Sequence, residues 1–180
     1  MTKKFNSYLG KAGHLAVMSE FLMRGWNVAI PEVDIGDDIF VVQDDNSTLR
    51  KVQVKTSMAK STKKGFSAQF SLSLKNLKNI SNIPVHYLFI VRDVSTWTKS
   101  IIIRQDYLLD HFQNNNVGSK HNDNLTLYFS YSNNNVNCSG QDFTDYICDY
   151  TDFQLSSIKP EKKLFSVIKS LIKIHQKQFP

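Results

Sequence analysis

Residues 34–56 read DIGDDIFVVQDDNSTLRKVQVKT and hold a carboxylate, an amide and an amine in an order that suits phosphate chemistry. Asp38 stands at the mouth of one apolar run, and Gln53 and Lys55 sit two apart in the next. A divalent cation such as Mg2+ or Mn2+ takes hard oxygen ligands and keeps several waters when one or two carboxylates hold it. Asp38 can supply one oxygen, and the Gln53 side-chain carbonyl and the Val54 backbone carbonyl can supply others. A cation held this way binds a scissile phosphate and lowers the pKa of a bound water. The Lys55 amine then holds the attacking water or offsets charge on a phosphorane-like transition state. Glutamate at 53 would bind the cation more strongly; glutamine keeps the oxygen and gives up the charge. The competing reading is a strand with a wet outer face, which VQVK also fits.

Two elements must position these groups. Side chains two apart on a strand share a face, so over 49–56 Val52 and Val54 point toward a core while Lys51, Gln53 and Lys55 point the other way. The preceding strand, 38–42, is apolar on both faces, as in a central strand. If the two are neighbours, a strand spacing of roughly 5 Å brings Asp38 to the Gln53–Lys55 face. Asp44 and Asp45 belong to the polar turn between them.

The rest of the chain supplies a frame. Residues 8–24 carry Leu9, Ala12, Leu15, Ala16, Phe21 and Leu22 at helical spacing, with Asn6 or Ser7 as caps and Gly25 as terminator. A strand, WNVAIP, follows. Residues 66–72 alternate as a strand with one wet face, 74–79 and 105–112 read as helices, and 85–93, 100–104 and 125–131 as strands. Trp97 falls in a hairpin, packed on the sheet. His86 lies on a buried strand as a core residue. The asparagine-rich segments 113–124 and 132–137 read as surface loops. The acidic run 142–153 reads as a solvated segment, and 161–178 as an amphipathic helix with Leu164, Phe165, Ile168, Leu171 and Ile172 on its apolar face. This order of helices and strands predicts an α/β fold, a mixed sheet flanked by helices, with residues 1–180 as one domain.

A net charge of +6 and a pI near 9.2 favour an anionic partner. Lys51, Lys60, Lys63 and Lys64 cluster around and after the Gln53–Lys55 strand, where a nucleic-acid backbone would run; such contacts weaken steeply with salt. Cys138 and Cys148 match no metal spacing and read as reduced. No segment has the apolar length of a signal peptide or a membrane span, so the expected location is cytoplasmic, with no membrane partner. No Gly-rich phosphate loop or Cys/His nucleophile pair occurs.

The pattern DIFVV…VQVKT, preceded by a helix ending in Gly25 and Trp26, a strand and Pro31, resembles the core of the PD-(D/E)xK nuclease superfamily in its Gln-x-Lys variant. It is similar to the Holliday-junction resolvases and the intron-encoded homing endonucleases of that superfamily. The motif region is 8–57, and the resemblance covers roughly 10–57. It implies a restriction-endonuclease-like central sheet, a Mg2+-dependent endonuclease acting on DNA, and a homodimer. Carried over, Asp38 is the metal-binding aspartate, Gln53 a ligand and Lys55 the catalytic lysine, with Asp34 and Asp37 as further ligand or supporting candidates. The glutamate that relatives carry eleven residues before the Gly-aromatic pair is His14 here, and Glu20 lies nearly two turns later. With His14 and Gln53 in place of acids, the same features also fit a non-cleaving nucleic-acid-binding or scaffold protein that keeps the nuclease fold.

Overall fold

Helix α1 (Lys3–Leu22) ends as its residues dictate. Gly25 adopts φ +78°, its N–H donates to the Leu22 carbonyl at 2.9 Å, and the Trp26 N–H reaches the Phe21 carbonyl at 3.2 Å. This bond pair closes a helix on a left-handed residue, and the stacked Phe21 and Trp26 rings, 5.9 Å apart, add the apolar contact that goes with it. The helix starts earlier than its sequence suggested. Asn6 and Ser7 lie inside it rather than capping it, because both are only mildly unfavourable in a helix interior. The buried stripe also differs: Gly13, Val17 and Phe21 face the sheet, whereas Leu15 and Leu22 are exposed. The computed structural model describes residues 3–33, 38–43, 48–83, 85–98, 100–133, 135–148 and 150.

In chain order the first strands are β1 (Asn27–Ala29), β2 (Ile39–Gln43), β3 (Thr48–Met58), β4 (Lys60–Thr62) and β5 (Gly65–Ser73). The short helix α2 (Leu74–Lys78) leads to β6 (Val85–Asp93), β7 (Thr96–Trp97) and β8 (Ser100–Arg104), then α3 (Gln105–Asn114). The remainder is β9 (Ser119–His121), β10 (Asn124–Ser132), β11 (Asn135–Cys138), β12 (Gln141–Asp142) and β13 (Ile147–Cys148). A mixed sheet runs β1-β2-β3-β6-β8-β13, with β7 on β6; among the described residues only its β3–β6 pairing is parallel. A second, antiparallel sheet runs β12-β11-β10-β5-β4, with β9 on β10.

The fold class is the expected one, a mixed α/β sheet flanked by helices. Strand β6 shows why its sequence is apolar throughout. Val85, Tyr87, Phe89 and Val91 join Phe70, Leu72, Leu127 and Phe129 of the second sheet in one core. Leu88 and Ile90, from the opposite face, join Val17 and Phe21 of α1 with Ile39, Val52 and Val54 in another. Both faces are covered, so neither needs polar residues.

The second sheet is the feature its sequence did not separate from the first. The alternating segments 66–72 and 125–131 pair with each other, Phe70 opposite Leu127, and lay their apolar faces on the main sheet. The acidic run is likewise more structured than a solvated segment: Phe143 and Tyr150 are buried, and Ile147–Cys148 adds β13 to the main sheet. Between these two aromatics Asp145 stays exposed. The asparagine-rich segments are loops only in part. Asn116, Asn122 and Asn133 take positive φ, a conformation asparagine tolerates. But β9 and most of β11 lie within these segments and pair with β10, and Val117 and Val136 are buried. The predicted helix at 161–178 lies outside the described residues. Among those described, no helix is long and apolar enough to cross a membrane.

Candidate active site

The site grows from the pairing of β2 and β3. They are antiparallel, with Ile39 opposite Val52, and continuing that register by one residue sets Asp38 across from Gln53. The Asp38 N–H still reaches the Val52 carbonyl at 3.0 Å. Beyond it, the Val54 N–H donates to Asp38 Oδ2 at 2.7 Å, so a side-chain carboxylate takes the place of the next ladder acceptor. Asp38 is thereby oriented by backbone, and its side chain is only 14% exposed. A residue's N–H and C=O point to the same side of an extended strand, so the Val54 carbonyl is directed to the side on which Asp38 sits.

Helix α1 brings the second group. His14 Nε2 lies 3.6 Å from Asp38 Oδ2, beyond direct hydrogen-bond range and close enough for a protonated imidazole to attract the carboxylate. His14, where the resemblance drawn from the sequence expects a glutamate, therefore lies beside Asp38. What permits this approach is Gly13, whose added Cβ would stand 2.0 Å from Thr56 Oγ1 of β3. The sequence carried a signal for this contact, since a glycine inside an apolar helical pattern usually has a packing reason.

Gln53 and Lys55 follow on β3 as period two requires. They pair in parallel register with Tyr87 and Phe89, whereas Val52 and Val54 belong to the core under α1. Gln53 is 7% exposed, and its amide makes no hydrogen bond among the described residues. Lys55 is half-buried and engaged in contacts of its own. Asp38, Gln53 and Val54 offer oxygen donors of the kind a hard cation takes: one carboxylate, one amide oxygen and one backbone carbonyl. The set carries little charge, and among the described residues no group of three His, Cys, Asp or Glu side chains gathers to hold a metal.

The remaining candidates are spread out. Lys51 sits across from Phe40, its Nζ 5.9 Å from the ring centroid. Lys60, Lys63 and Lys64 are exposed on β4 and the turn after it, in the second sheet. Lys60 begins β4, beyond the end of β3, at most about 23 Å of extended chain from Gln53. Glu20 is on an exposed part of α1, ion-paired with Arg24 at 2.6 Å. Asp34 and Asp37 lie outside the described residues. His86, opposite Val52, is buried and held neutral: burial lowers its pKa to about 4, helped by the Arg50 and Arg104 charges. Trp97 is half-buried under Arg92, whose guanidinium lies 5.2 Å from the ring centroid.

No protein-family model and no curated protein sequence matches the chain. Among solved structures, it is similar to a bacterial homing endonuclease, I-Ssp6803I, with a TM-score of 0.50 and 18% sequence identity. The likeness covers 86% of this chain and 96% of that one. At this identity it is a likeness of fold: a curled mixed sheet flanked by helices.

Proposed function

We propose that the protein is a metal-dependent endonuclease that hydrolyses DNA phosphodiester bonds, with a site of the PD-(D/E)xK type. The observation that carries this reading is the Asp38 carboxylate seated on the Val54 N–H, directly beside the Gln53-x-Lys55 strand and within 3.6 Å of His14. A fold similar to that of a homing endonuclease supports it. Asp38, Gln53 and the Val54 carbonyl would hold Mg2+ or Mn2+, which when bound lowers the pKa of a water and neutralises phosphate charge. Asp38 orients the ligand set through its bond to the backbone. Lys55 holds the attacking water or takes up charge developing on the phosphate. His14 adds positive charge next to Asp38 when protonated. Lys51, Lys60, Lys63 and Lys64 would supply backbone affinity along the DNA.

The test is a nicking assay on plasmid and branched DNA with Mg2+ or Mn2+, comparing the natural protein with Lys55→Ala and Asp38→Asn. Cleavage by the natural protein that both variants lose supports the reading. Equal background cleavage in all three overturns it. Salt-sensitive DNA retardation without cleavage would instead assign the protein to nucleic-acid binding, the reading favoured by Gln53 and His14 standing where acids are usual.

A further inference from the structure

Helix α1 has two apolar faces, and the sheet covers one of them. Gly13, Val17 and Phe21 are buried against β2 and β3. At about 100° per residue, Phe5, Tyr8, Ala12, Leu15, Ser19 and Leu22 fall on the opposite side. All are exposed, Tyr8 by 64%, Leu15 by 54% and Leu22 by 53%. Their spacing alternates three and four residues, the seam spacing by which one helix packs against another. No charged residue interrupts the seam; Lys11 and Glu20 flank it. A helix that is apolar on both sides is ordinarily buried on both.

The chain itself comes to the C-terminal end of α1, on its buried side. Tyr150 is the last described residue, and its ring meets Phe21 edge-on at 5.2 Å, with Arg24 above it at 5.0 Å. Its hydroxyl shares a 2.8 Å hydrogen bond with Ser100. The chain thus passes the last turn of α1 with residues 151–180 still to come. Among them, Leu164, Phe165, Ile168, Leu171 and Ile172 share one face of the helix predicted at 161–178, and Lys162, Lys169, Lys173 and Lys177 fall on the other. Such a helix would be about 27 Å long, and the seam from Phe5 to Leu22 is about 26 Å. Residues 151–160 can span up to about 33 Å, ample to reach it.

We propose that residues 161–178 form a helix that docks its apolar face on the exposed seam of α1, completing a layer over the main sheet. The occupant is the protein's own tail rather than a second copy. A segment tethered beside its target acts at an effective concentration of millimolar order, and its apolar length matches the seam. The inference is independent of the nuclease reading.

Hydrogen–deuterium exchange on the full chain tests it, with Ile168→Asp/Leu171→Asp in the tail and Leu15→Asp on the seam. Exchange across Tyr8–Leu22 is expected to rise about tenfold in the tail variant while β6 stays protected. Leu15→Asp reciprocally speeds exchange across 161–178, and both effects are independent of protein concentration. Unchanged exchange in α1 overturns the proposal. So does protection of α1 that rises with concentration alongside a dimer in size-exclusion chromatography, which would assign the seam to a second copy. Should the tail variant also lose protection in β6, the response of 161–178 to Leu15→Asp decides, and no response overturns the proposal.

Discussion

The Asp38 carboxylate accepts a hydrogen bond from the backbone N–H of Val54 at 2.7 Å. One oxygen thus supports the strand ladder, and the same carboxylate is the charged member of the proposed ligand set. The two roles separate by substitution. Asp38→Asn keeps an acceptor for Val54 and is expected to stay within about 1 kcal/mol of the natural stability while losing divalent-cation binding. Asp38→Ala leaves the N–H without a partner and costs about 1–3 kcal/mol as well. Urea denaturation and Mn2+ calorimetry measure the two effects. Equal Mn2+ binding by Asp38→Asn would remove Asp38 from the ligand set.

Gln53 is nearly buried and offers an amide oxygen in a site of low charge. Gln53→Glu is expected to raise Mn2+ affinity about tenfold, about 1.4 kcal/mol. Without the cation it lowers stability, because a carboxylate is then desolvated without its counter-charge. A thermal melt titrated with Mn2+ reads both, as a lower starting Tm and a larger upward shift. An unchanged affinity would mean that residue 53 does not touch the cation.

Gly13 sets how closely α1 lies on β3, since a Cβ there meets Thr56 Oγ1 at 2.0 Å and Thr56 Cβ at 3.0 Å. Gly13→Ala is expected to cost about 1–3 kcal/mol through overpacking and to draw His14 away from Asp38. Adding Thr56→Ala removes the closest atoms and recovers part of the loss, leaving the 3.0 Å contact. A double-mutant cycle in urea measures the coupling; strictly additive losses would show that the two positions do not meet.

Buried His86 predicts an acid response. Burial, then Arg50 and Arg104, hold its folded pKa at about 4, below the ordinary 6.5. A base with a depressed folded pKa contributes its full stability above its unfolded value and loses it as pH falls toward the folded one. Stability is therefore expected to drop by about 3 kcal/mol between pH 6.5 and 4. The Asp106 carboxyl, lowered below 3.8, gives way only in more acid solution. Denaturation midpoints of His86→Gln across this range should lose that slope; an unaltered slope would place its origin elsewhere.

Local chemistry made much of this protein legible in its sequence. The turn of Gly25 after an apolar helix, the two-residue period of β3 that puts Gln53 and Lys55 on one face, and the doubly apolar β6 all follow from backbone geometry within a few residues. So does the choice of Asp38, at the mouth of β2, as the candidate carboxylate. The β2–β3 neighbourhood was conditional on register, and the register arose from long-range pairing. Only the tertiary structure decided that the Asp38 carboxylate takes the Val54 N–H, that His14 reaches it across the Gly13–Thr56 contact, and that Leu15 and Leu22 face away from the sheet. The second sheet was hidden for the same reason. Alternation in 66–72 and 125–131 says that each strand has one dry face, but which strands pair, and on what that face lies, depends on contacts between residues distant in the chain. Periodicity is a property of neighbours along the sequence; a site is a property of neighbours in space.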